Sequence, residues 1–478
     1  MLSSMNMRPA NLNLEALAKR IDALERENAR LRAENQALKA ENKRLRLELA
    51  SAKKNSRNSS KPPSSDIVKP PPPGGKSKRH IGGQPGHEPH FRNLFTPEQL
   101  DEAVVFVPST RTCPCGGTLV ACPVSDQVRQ QIELRENPLF RREYRARAYR
   151  CSSCGAFRRE KLPRCVGREG FVGDRLSAAL AFLNAKARAS HSALAAFMRD
   201  VCGEPVSRGQ IAKTFRRVSH SLEAPYAEAL KRLRDEPFLN IDETGHRERG
   251  KRFWTWVFRA GDFAVFRIDK TRGSGVLQSV LGSGYKGTIG CDYFSAYHKY
   301  LQDSGASAQF CMAHLIRDIR FLKEHPDPET RRYAFRSLKA AKQLFRTHHR
   351  LRENPEHDRR ELIKAGERLR RTLVSAPPEP KAQNIARRFR DNGNAYLRFI
   401  NNPKIEPTNN RAEQAIRQVV IDRVASQGTR GAKGRAYKER MWTVISTCAM
   451  RGASSFDFLR HALRSNVAST TTPLLHTL

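Results

Sequence analysis

The sequence predicts a multidomain protein of the α/β class, in which a strand-rich core is extended by helices. Three observations lead to this prediction. Short apolar runs of β-like composition fill residues 236–300, and a long basic stretch of helical character follows over residues 310–400. A segment rich in Ser, Pro, Gly and Lys separates this core from a heptad helix near the start of the chain. The 478 residues are enough for several domains.

Residues 12–50 are predicted to form a coiled coil. Leucines recur every seven residues from Leu17 to Leu45, and Asn residues at other seam positions would fix the register of a parallel dimer. The flanking charges are complementary at the spacing of a parallel pair. A single amphipathic helix that packs on its own domain is the alternative and explains these charges less well. We therefore expect a homodimer through this segment.

Residues 51–95 are too polar and too rich in Ser, Pro and Gly to bury a core, so we expect a basic linker. Residues 96–168 are predicted to form a small zinc-ribbon-like module. Two cysteine pairs in Gly-containing turns flank the runs QVRQQIEL and FRREYRARAYR, which alternate like strands. The candidate Zn²⁺ ligands are Cys113, Cys115, Cys151 and Cys154. The first pair has only one intervening residue, so Cys122 or Cys165 could replace one of its members, and free cysteines are the alternative.

Residues 170–232 are predicted to form helices with a helix-turn-helix-like pattern. One helix ends at Gly203 and the next is capped by Ser207. The basic residues of the second helix that we expect to face DNA are Arg208, Lys213, Arg216 and Arg217. An ordinary helical hairpin with a solvated basic face is the alternative. Residues 426–478 are predicted as a C-terminal helical region, in which the loop 427–435 (QGTRGAKGR) either grips phosphates or is merely exposed.

The charge of the chain points to nucleic acid. Lys and Arg number 87 against 48 Asp and Glu, so the net charge is +39, and the excess is spread along the chain. Such a field favours polyanions. A membrane partner is not expected, because no run of 18 apolar residues occurs, and the polar N-terminus does not resemble a secretory signal. With ten cysteines in a long chain, we expect reduced thiols and a cytoplasmic, nucleoid-associated protein.

Three acidic residues stand in well-marked contexts. Asp242 and Asp292 each end a strand-like run, and Glu413 opens a helix-like run. A carboxylate on the first strand, one after the fourth and one on a late helix is the layout of a ribonuclease-H-like nuclease or transferase. We predict this catalytic core over residues 233–425, with an α-helical insertion at about 312–400. Such hard oxygen ligands suit two Mg²⁺ ions about 3.5–4 Å apart, which clamp the oxygens of an in-line phosphodiester displacement.

Each acid also has a structural alternative to metal binding. Asp242 and Asp292 could cap local turns, and Glu243 is a rival ligand beside Asp242. Glu413 could complete a capping box with Asn410 or pair with a basic residue one helical turn further on. The order of strand, strand and helix in so basic a chain favours a metal site.

Several motifs resemble those of the insertion sequence 66 family, a group of bacterial DDE transposases. The motifs are NIDETG, GCDYFSAYHKY, CMAHLIRDIR and PTNNRAEQAIR, together with NSRNSSKPPSSD followed by GGQPGH outside the catalytic region. The resemblance covers nearly the whole chain and implies that Asp242, Asp292 and Glu413 form the DDE triad. The short Cys113–Cys115 spacing departs from the family pattern, as do Gln414 and Thr408, which stand where Arg and Asp are found in relatives.

Residues and resemblance together predict a DNA transposase that binds the terminal inverted repeats of a mobile element. It would cut the element end with two Mg²⁺ ions, for which Mn²⁺ can substitute, and join the freed 3′-hydroxyl to target DNA. Further DNA contacts are expected at Asn409, Asn410 and Arg417. Cys311 and His314 are interpreted as a structural brace. Small accessory proteins of the same element are implied as partners. The alternatives are a catalytically silent or co-opted transposase that acts as a DNA-binding repressor, and a structural RNA-binding protein.

Overall fold

The computed structural model describes most of the chain after the first residues. The described residues are 14–53, 93–120, 128–136, 138–159, 161–162, 170–354, 356, 358–468 and 472–477. The chain divides into two compact units. One comprises Met1–Pro70, Arg145–Ala195 and Val206–Leu478, and the other comprises Pro71–Tyr144 and Ala196–Pro205. Most of the predicted linker, including the segment GGQPGH, lies outside the described residues. Cys122 and Cys165 of the predicted zinc module also lie outside them.

Helices make up most of the larger unit. In chain order they are α1 (Leu14–Ala52), α2 (Asp174–Lys186), α3 (His191–Asp200), α4 (Arg208–Ser221), α5 (Glu223–Arg232), α6 (Ser274–Leu281), α7 (Ser295–Ser304), α8 (Met312–Leu322), α9 (Pro328–Glu353), α10 (Arg359–Val374), α11 (Pro380–Asn401), α12 (Asn410–Ser426), α13 (Ala432–Met450) and α14 (Ser455–Ala468). Short 3-10 turns cover Pro97–Gln99, Leu233–Asp235 and Leu475–Thr477. Helix α3 crosses the boundary between the two units.

The strands form a small ladder and one central sheet. They are β1 (Ala148–Arg150), β2 (Phe157–Arg159), β3 (Phe238–Glu248), β4 (Lys251–Arg259), β5 (Ala264–Asp269), β6 (Thr288–Cys291) and β7 (Ser307–Phe310). The sheet has the order β5-β4-β3-β6-β7. Strands β3, β4 and β5 are antiparallel neighbours, whereas β6 runs parallel to both β3 and β7. This mixed sheet with helices confirms the predicted α/β class.

Four of the five strands of the sheet are those predicted from apolar runs, and β7 is new. Its sequence, Ser-Ala-Gln-Phe, is short and half polar, so it carries no strand signal of its own. Gln309 explains how a polar residue is accommodated there. Its side chain is buried and bonds the carbonyl of Tyr396 at 2.9 Å and the amide of Phe399 at 3.0 Å.

One face of the sheet carries the helices that follow the insertion. Phe253 and Val257 of β4 and Phe266 of β5 pack there in one buried cluster with α12 and α13. From α12 the cluster takes Ala412, Ile416 and Val419, and from α13 it takes Trp442. Because α12 lies directly on β3 and β4, any side chain in its first turn is held close to the middle of β3.

Helix α7 lies against the opposite face. Trp256 and Phe258 of β4 are fully buried there, and the ring of Trp256 meets that of Tyr297 edge to face at 6.1 Å. The large residues of β4 therefore pack alternately into the cores on the two faces of the sheet. Trp254, at the same face, is only partly buried and lies 4.9 Å from the guanidinium of Arg272.

The helical insertion lies between α8 and α12. Its helices α9, α10 and α11 pack in sequence, α9 also contacts α8, and α11 contacts β7. The hydroxyl of Tyr333 on α9 donates to the carbonyl of Leu373 at the end of α10 at 2.9 Å. The insertion is therefore held at one end by the contact of α9 with α8 and at the other by the contact of α11 with β7.

The helices before the sheet and the helices at the end of the chain pack together. Helices α2 and α4 contact α13 and α14. The rings of Phe215 on α4 and Tyr437 on α13 stack at 5.0 Å, and the Tyr437 hydroxyl bonds Asn184 of α2 at 3.1 Å. The segments 170–232 and 426–478, predicted as separate regions, thus share one core.

Helix α1 exposes its predicted seam. Leu24 and Leu38 are 58% and 62% exposed, although they occupy heptad positions. The ion pairs of the helix that involve Glu27 and Glu41 are formed within it, to Arg30 and Arg44. No helix in the described part of the chain is both long enough and apolar enough to cross a membrane.

The cysteine-rich segment has less regular structure than predicted. Neither QVRQQIEL nor the first part of FRREYRARAYR forms a strand in the residues described, and only Ala148–Arg150 pairs, with Phe157–Arg159. Ile132 and Phe140 are 70% and 81% exposed, so the alternating pattern has no sheet to pack against. The two-strand prediction for this segment is therefore wrong in extent, since an alternating pattern defines a strand only where a neighbour buries one face.

Candidate active site

Asp242 lies near the middle of β3, opposite Val257 of β4. Because directly opposed residues point to the same face of a sheet, Asp242 points to the face that α12 covers. Burial raises its pKa well above the usual range, and the charges of Glu243, Asp292 and Glu413 raise it further. The acids that are distant in the sequence are thus electrostatic neighbours in the fold.

Asp292 follows β6 directly, at the carboxyl end of that strand. Strand β6 pairs in parallel with β3, with Gly290 opposite Asn240, so the same register continued by two residues brings Asp292 beside Asp242. A side chain at position 290 would collide with the Asn240 amide, which explains the glycine. Burial and the charge of Glu243 raise the pKa of Asp292 to about 7, although Arg272 acts in the opposite direction.

Glu413 lies in the first turn of α12 and is about one-third exposed. Its Oε1 accepts a hydrogen bond from Arg317 of α8 at 3.2 Å and lies 3.8 Å from Nδ1 of His314. The capping box with Asn410 is not formed, because α12 begins at Asn410 and the Glu413 carboxylate turns to α8 instead. Arg317 lies within the motif CMAHLIRDIR, but its residue type and position alone do not indicate a contact with Glu413.

Glu243, the rival ligand, is already neutralised by protein groups. Its side chain is 1% exposed, and Arg272 donates to its Oε1 at 2.6 and 2.8 Å. The Tyr297 hydroxyl donates to its other oxygen at 2.5 Å. The Arg272 guanidinium also lies 3.9 Å from the ring centre of Phe294. Neighbouring residues of a strand point to opposite faces, so Glu243 braces the far side of β3 while Asp242 faces α12.

Asn409 fixes the start of α12 against the sheet. Its amide donates to the carbonyl of Ile241 at 2.7 Å and accepts from Asn240 at 2.9 Å. Its backbone N–H donates to Sγ of Cys311 at 3.2 Å. With 2% exposure it is not available to DNA, so the prediction of a DNA contact at Asn409 is corrected. Its role is to hold Glu413 near Asp242.

Cys311, His314 and Glu413 form the one group of potential metal ligands whose ligand atoms all lie within 4.8 Å among the described residues. His314 Nε2 faces a guanidinium nitrogen of Arg317 at 3.3 Å. Arginine only donates, so Nε2 is the acceptor and Nδ1 carries the proton. Burial and Arg317 lower the pKa of His314 to about 4, which keeps the ring neutral. A neutral ring is also the form of histidine that binds metals, so the structural brace interpreted from the sequence stays a prediction beside a Cys311–His314–Glu413 metal site.

The donor set of the three predicted acids fits a hard divalent cation. Carboxylate oxygens are the ligands that Mg²⁺ and Mn²⁺ prefer. Within the part of the chain that the structure describes, neither Asp242 nor Asp292 has a cation within 4.0 Å. Burial first, and then the charges of neighbouring carboxylates, raise the pKa values of both acids, and a bound divalent ion would offset this cost of ionising them.

The sequence of the chain matches two protein-family models. The model described as "Transposase IS66 family" matches residues 169–436, more than half of the chain. The chain belongs to the Transposase IS66 family. Membership implies a function in transposition and a DNA-cleaving activity on a DNA substrate. A second model, "Family of unknown function (DUF6444)", matches residues 9–93. No curated protein matches the chain.

The predicted DNA contacts of the transposase differ in exposure. Arg208, Lys213 and Arg216 are exposed on α4, and Asn410 and Arg417 are exposed on α12. All five remain predictions.

Arg217 points inward. It donates to the carbonyl of Val172 at 2.6 Å and to the hydroxyl of Ser177, so it fastens α4 to the start of α2. Both bonds use Nη2 of the guanidinium, and the predicted DNA contact of Arg217 stays a prediction. Since α3 crosses the boundary between the two units, the helix-turn-helix arrangement stays a prediction.

The candidate zinc ligands of the transposase form two local turns. In the first, the amide of Cys113 bonds the carbonyl of Gly117 at 2.7 Å, and in the second the amide of Gly155 bonds the carbonyl of Cys151 at 3.0 Å. Cys115, Cys151 and Cys154 are exposed. The two pairs belong to different compact units, so joint binding of Zn²⁺ by the four cysteines stays a prediction.

Proposed function

We propose that this transposase cuts DNA at the ends of a mobile element and joins the cut ends to target DNA, with Asp242, Asp292 and Glu413 as the metal-binding triad. The observation that carries the proposal is the placement of these acids, since the β3–β6 register brings Asp292 beside Asp242 and Glu413 lies in the first turn of the helix that packs on β3. They come from a strand, the end of a parallel strand and a helix, yet the charges of Asp292 and Glu413 both act on Asp242. Few structural roles require three carboxylates to approach one another in a protein of net charge +39.

The catalytic core is proposed to be ribonuclease-H-like. The strand order supports this, since three antiparallel strands are followed by two that run parallel to the first. In that arrangement the first and fourth strands are neighbours, and their acids share one edge. The insertion between β7 and α12 keeps the third acid on the helix that returns to the sheet.

Each acid has a distinct task in the proposed reaction. Two Mg²⁺ ions, or Mn²⁺ in their place, would supply Lewis-acid stabilisation of the attacking and leaving oxygens when bound. Asp242 and Asp292 would hold them from the sheet, and Glu413 from α12. Arg317 and His314 orient the Glu413 carboxylate from one side. Glu243, paired with Arg272, keeps β3 in place without competing for the ions.

A groove beside Glu413 offers a path for the DNA strand. It lies between α8 and α9, has a cavity volume of about 880 Å³ and reaches Arg317 and Asn410. Its basic lining includes Arg320, Lys323, Lys339 and Lys342. No ion pair involves these four among the described residues. Phe335 is 56% exposed there, and an exposed ring beside cations suits an unpaired base and its phosphate.

The remaining parts of the chain would organise the DNA ends. We propose that the exposed leucines of α1 pair with a second copy, which would bring two element ends together. Zinc at the two cysteine pairs would order the segment before the core. Small accessory proteins of the same element are proposed as further partners.

The test is strand cleavage of a labelled element end with Mg²⁺. The native chain is expected to cut it, and Asp242→Asn is expected to lose cleavage by at least about 10³-fold while it still binds the same DNA. Asp303→Asn, a change at an exposed acid outside the site, is the matched control and is expected to cut normally. Binding without cleavage by the native chain under any divalent metal would instead support a DNA-binding repressor.

A further inference from the structure

A second basic cavity lies at the far end of α12 from Glu413. Its volume is about 720 Å³, and it is enclosed by α4, the connection between α2 and α3, the end of α12 and the start of α13. We call it the basic cleft and define it by its five cations, Arg188, Arg216, Arg249, Arg430 and Lys433. These residues come from four separate segments of the sequence, so only the fold brings them together.

The basic cleft has a large uncompensated charge. None of the five cations is paired with a carboxylate among the described ion pairs, and Arg249 donates instead to the carbonyl of Arg430 at 2.7 Å. The acid in the lining, Asp422, is already occupied by Lys438 at 2.9 Å and by the indole of Trp442 at 3.0 Å. The cleft therefore presents about five positive charges to solvent with no internal counter-ion, which is a site for a polyanion.

The loop that forms one wall is fixed in place. The amide of Thr429 bonds the carbonyl of Arg247 at 2.9 Å, and the amide of Arg249 bonds the carbonyl of Thr429 at 3.1 Å. Gly428 has a φ of 94°, and a side chain there would collide with the carbonyl of Arg247. A loop tied to the β3–β4 hairpin in this way holds its cations at set positions.

The start of α13 opens into the same cleft. Gly431 is its N-cap, with a φ of 146°, and gives no side-chain cap. The first N–H groups of a helix have no partner within the helix, so they add hydrogen-bond donors to the cations. The floor is apolar, formed by Phe215 and Tyr437. Cations and amides above an apolar floor match a sugar–phosphate backbone, which is charged on one side and apolar on the other.

We propose that the basic cleft binds the backbone of duplex DNA at a fixed distance from the scissile phosphodiester. Glu413 and Ala425, which lines the cleft, lie on the same helix, about 18 Å apart along its axis at 1.5 Å per residue. That length corresponds to roughly five base pairs at 3.4 Å per step. This inference rests on the proposed function, because it takes the acid cluster as the cutting site.

The experiment measures DNA affinity without metal, in the full chain carrying Asp242→Asn. Arg430→Gln combined with Lys433→Gln is compared with Lys364→Gln combined with Arg368→Gln, two exposed cations of α10 outside the cleft. On an element-end duplex that extends well beyond the cut on both sides, we expect the cleft pair to lower affinity about tenfold. We also expect it to reduce the slope of log K against log salt by about 2. The α10 pair is expected to change neither.

Two further arms locate the contact and protect the result from misfolding. Arg430→Lys with Lys433→Arg keeps both charges and is expected to bind like the parent. A second duplex is shortened to fewer than about five base pairs on the side that reaches the cleft. The cleft double variant is expected to bind this duplex like the parent, because the DNA no longer reaches the cleft. The inference is overturned if the cleft double variant and the α10 double variant bind the long duplex with equal affinity. It is also overturned if inorganic phosphate, at the same concentration of phosphate groups as the DNA, competes fully with the DNA. Cleavage is not read in this assay, so a failure of the proposed cutting reaction shows only in the Mg²⁺ assay.

Discussion

At the scale of single residues, the site depends on which carboxylates are compensated by the protein. Glu243 is held by Arg272 and Tyr297, whereas Asp242 and Asp292 have no cation within ion-pair distance among the described residues. Glu413 is intermediate, with Arg317 on one side. An uncompensated pair of partly buried acids costs free energy of folding, and such pairs cluster at functional sites, where they bind a cation or share a proton.

The raised pKa of Asp292 predicts how stability depends on pH without metal. The folded chain keeps this proton up to about pH 7, whereas the unfolded chain loses it near pH 4. The free-energy cost that Asp292 adds to folding is therefore smallest below pH 4 and increases as the pH rises toward 7. With chelator present, Asp292→Asn should raise the free energy of unfolding at pH 8 by roughly 1–3 kcal/mol, and by less at pH 5. Urea unfolding at both pH values measures this, and an equal effect at both would contradict it.

Removal of Arg272 should be costly because it leaves the buried Glu243 carboxylate without a cationic partner, with the Tyr297 hydroxyl as its remaining side-chain donor. We expect Arg272→Met to lower the free energy of unfolding by about 3–5 kcal/mol. Combining it with Glu243→Gln should restore most of that loss, since the uncompensated charge is then gone. The control is Arg332→Met at an exposed position of α9. If the double variant is no more stable than Arg272→Met alone, the charge explanation is wrong.

At the scale of elements, α12 links the chemistry to the fold. Its apolar side packs on β4 and α13, and its first turn carries Glu413. Two adjacent asparagines precede Glu413 with opposite environments. Asn409 is buried and bonded to β3, and Asn410 is exposed. The side chain of Asn409 therefore fastens the first turn of α12, and with it the backbone of Glu413, to β3.

The two asparagines provide a matched pair of variants. Asn409→Ala should lower the free energy of unfolding by about 1–3 kcal/mol, because the Ile241 carbonyl and the Asn240 amide lose their buried partner. Asn410→Ala should change it by less than about 0.5 kcal/mol. Thermal or urea unfolding measures both. Similar losses for the two variants would show that Asn409 is not the residue that fixes α12.

The sequence predicts the elements with strong periodic signals and places Asp292 correctly after a strand, whereas Asp242, expected at a strand end, lies inside β3 because the strand continues to Glu248. Asp242 and Asp292 could be found because each ends an apolar run, and parallel neighbours share an edge. Strand β7 could not, because its burial depends on the insertion that covers it. The positions of Arg217 and Asn409 in the sequence predict contacts with DNA, since one is a basic residue of a helix-turn-helix-like segment and the other precedes the helix of Glu413. Only tertiary contacts show that both are bonded internally.

At the scale of the whole molecule, the chain exposes surfaces that a single copy does not use. The seam of α1 is open along its described length, with Leu24 and Leu38 more than half exposed. Exposed leucines at heptad spacing are unfavourable in water unless a second helix covers them. The net charge of +39 is large enough for the chain to contact the phosphates of two DNA ends.

The open seam predicts that oligomeric state depends on α1. Leu24→Lys with Leu31→Lys should convert a dimer to a monomer, because a charge at a seam position would be buried in the pair. Ala29→Lys with Gln36→Lys places the same charges outside the seam and should leave the dimer intact. Sedimentation or light scattering gives the mass. A native chain that is monomeric at micromolar concentration would refute the pairing.

The most direct test of the account asks whether Asp242 touches the catalytic metal. Thiolate is a poor ligand for Mg²⁺ and a better one for Mn²⁺, so Asp242→Cys should lose cleavage of a labelled element end in Mg²⁺ and regain at least tenfold in Mn²⁺. Asp242→Ala, which offers no ligand, should stay inactive in both metals. The account is contradicted if Asp242→Ala cuts at the native rate in Mg²⁺, or if Mn²⁺ restores the Cys and Ala variants equally.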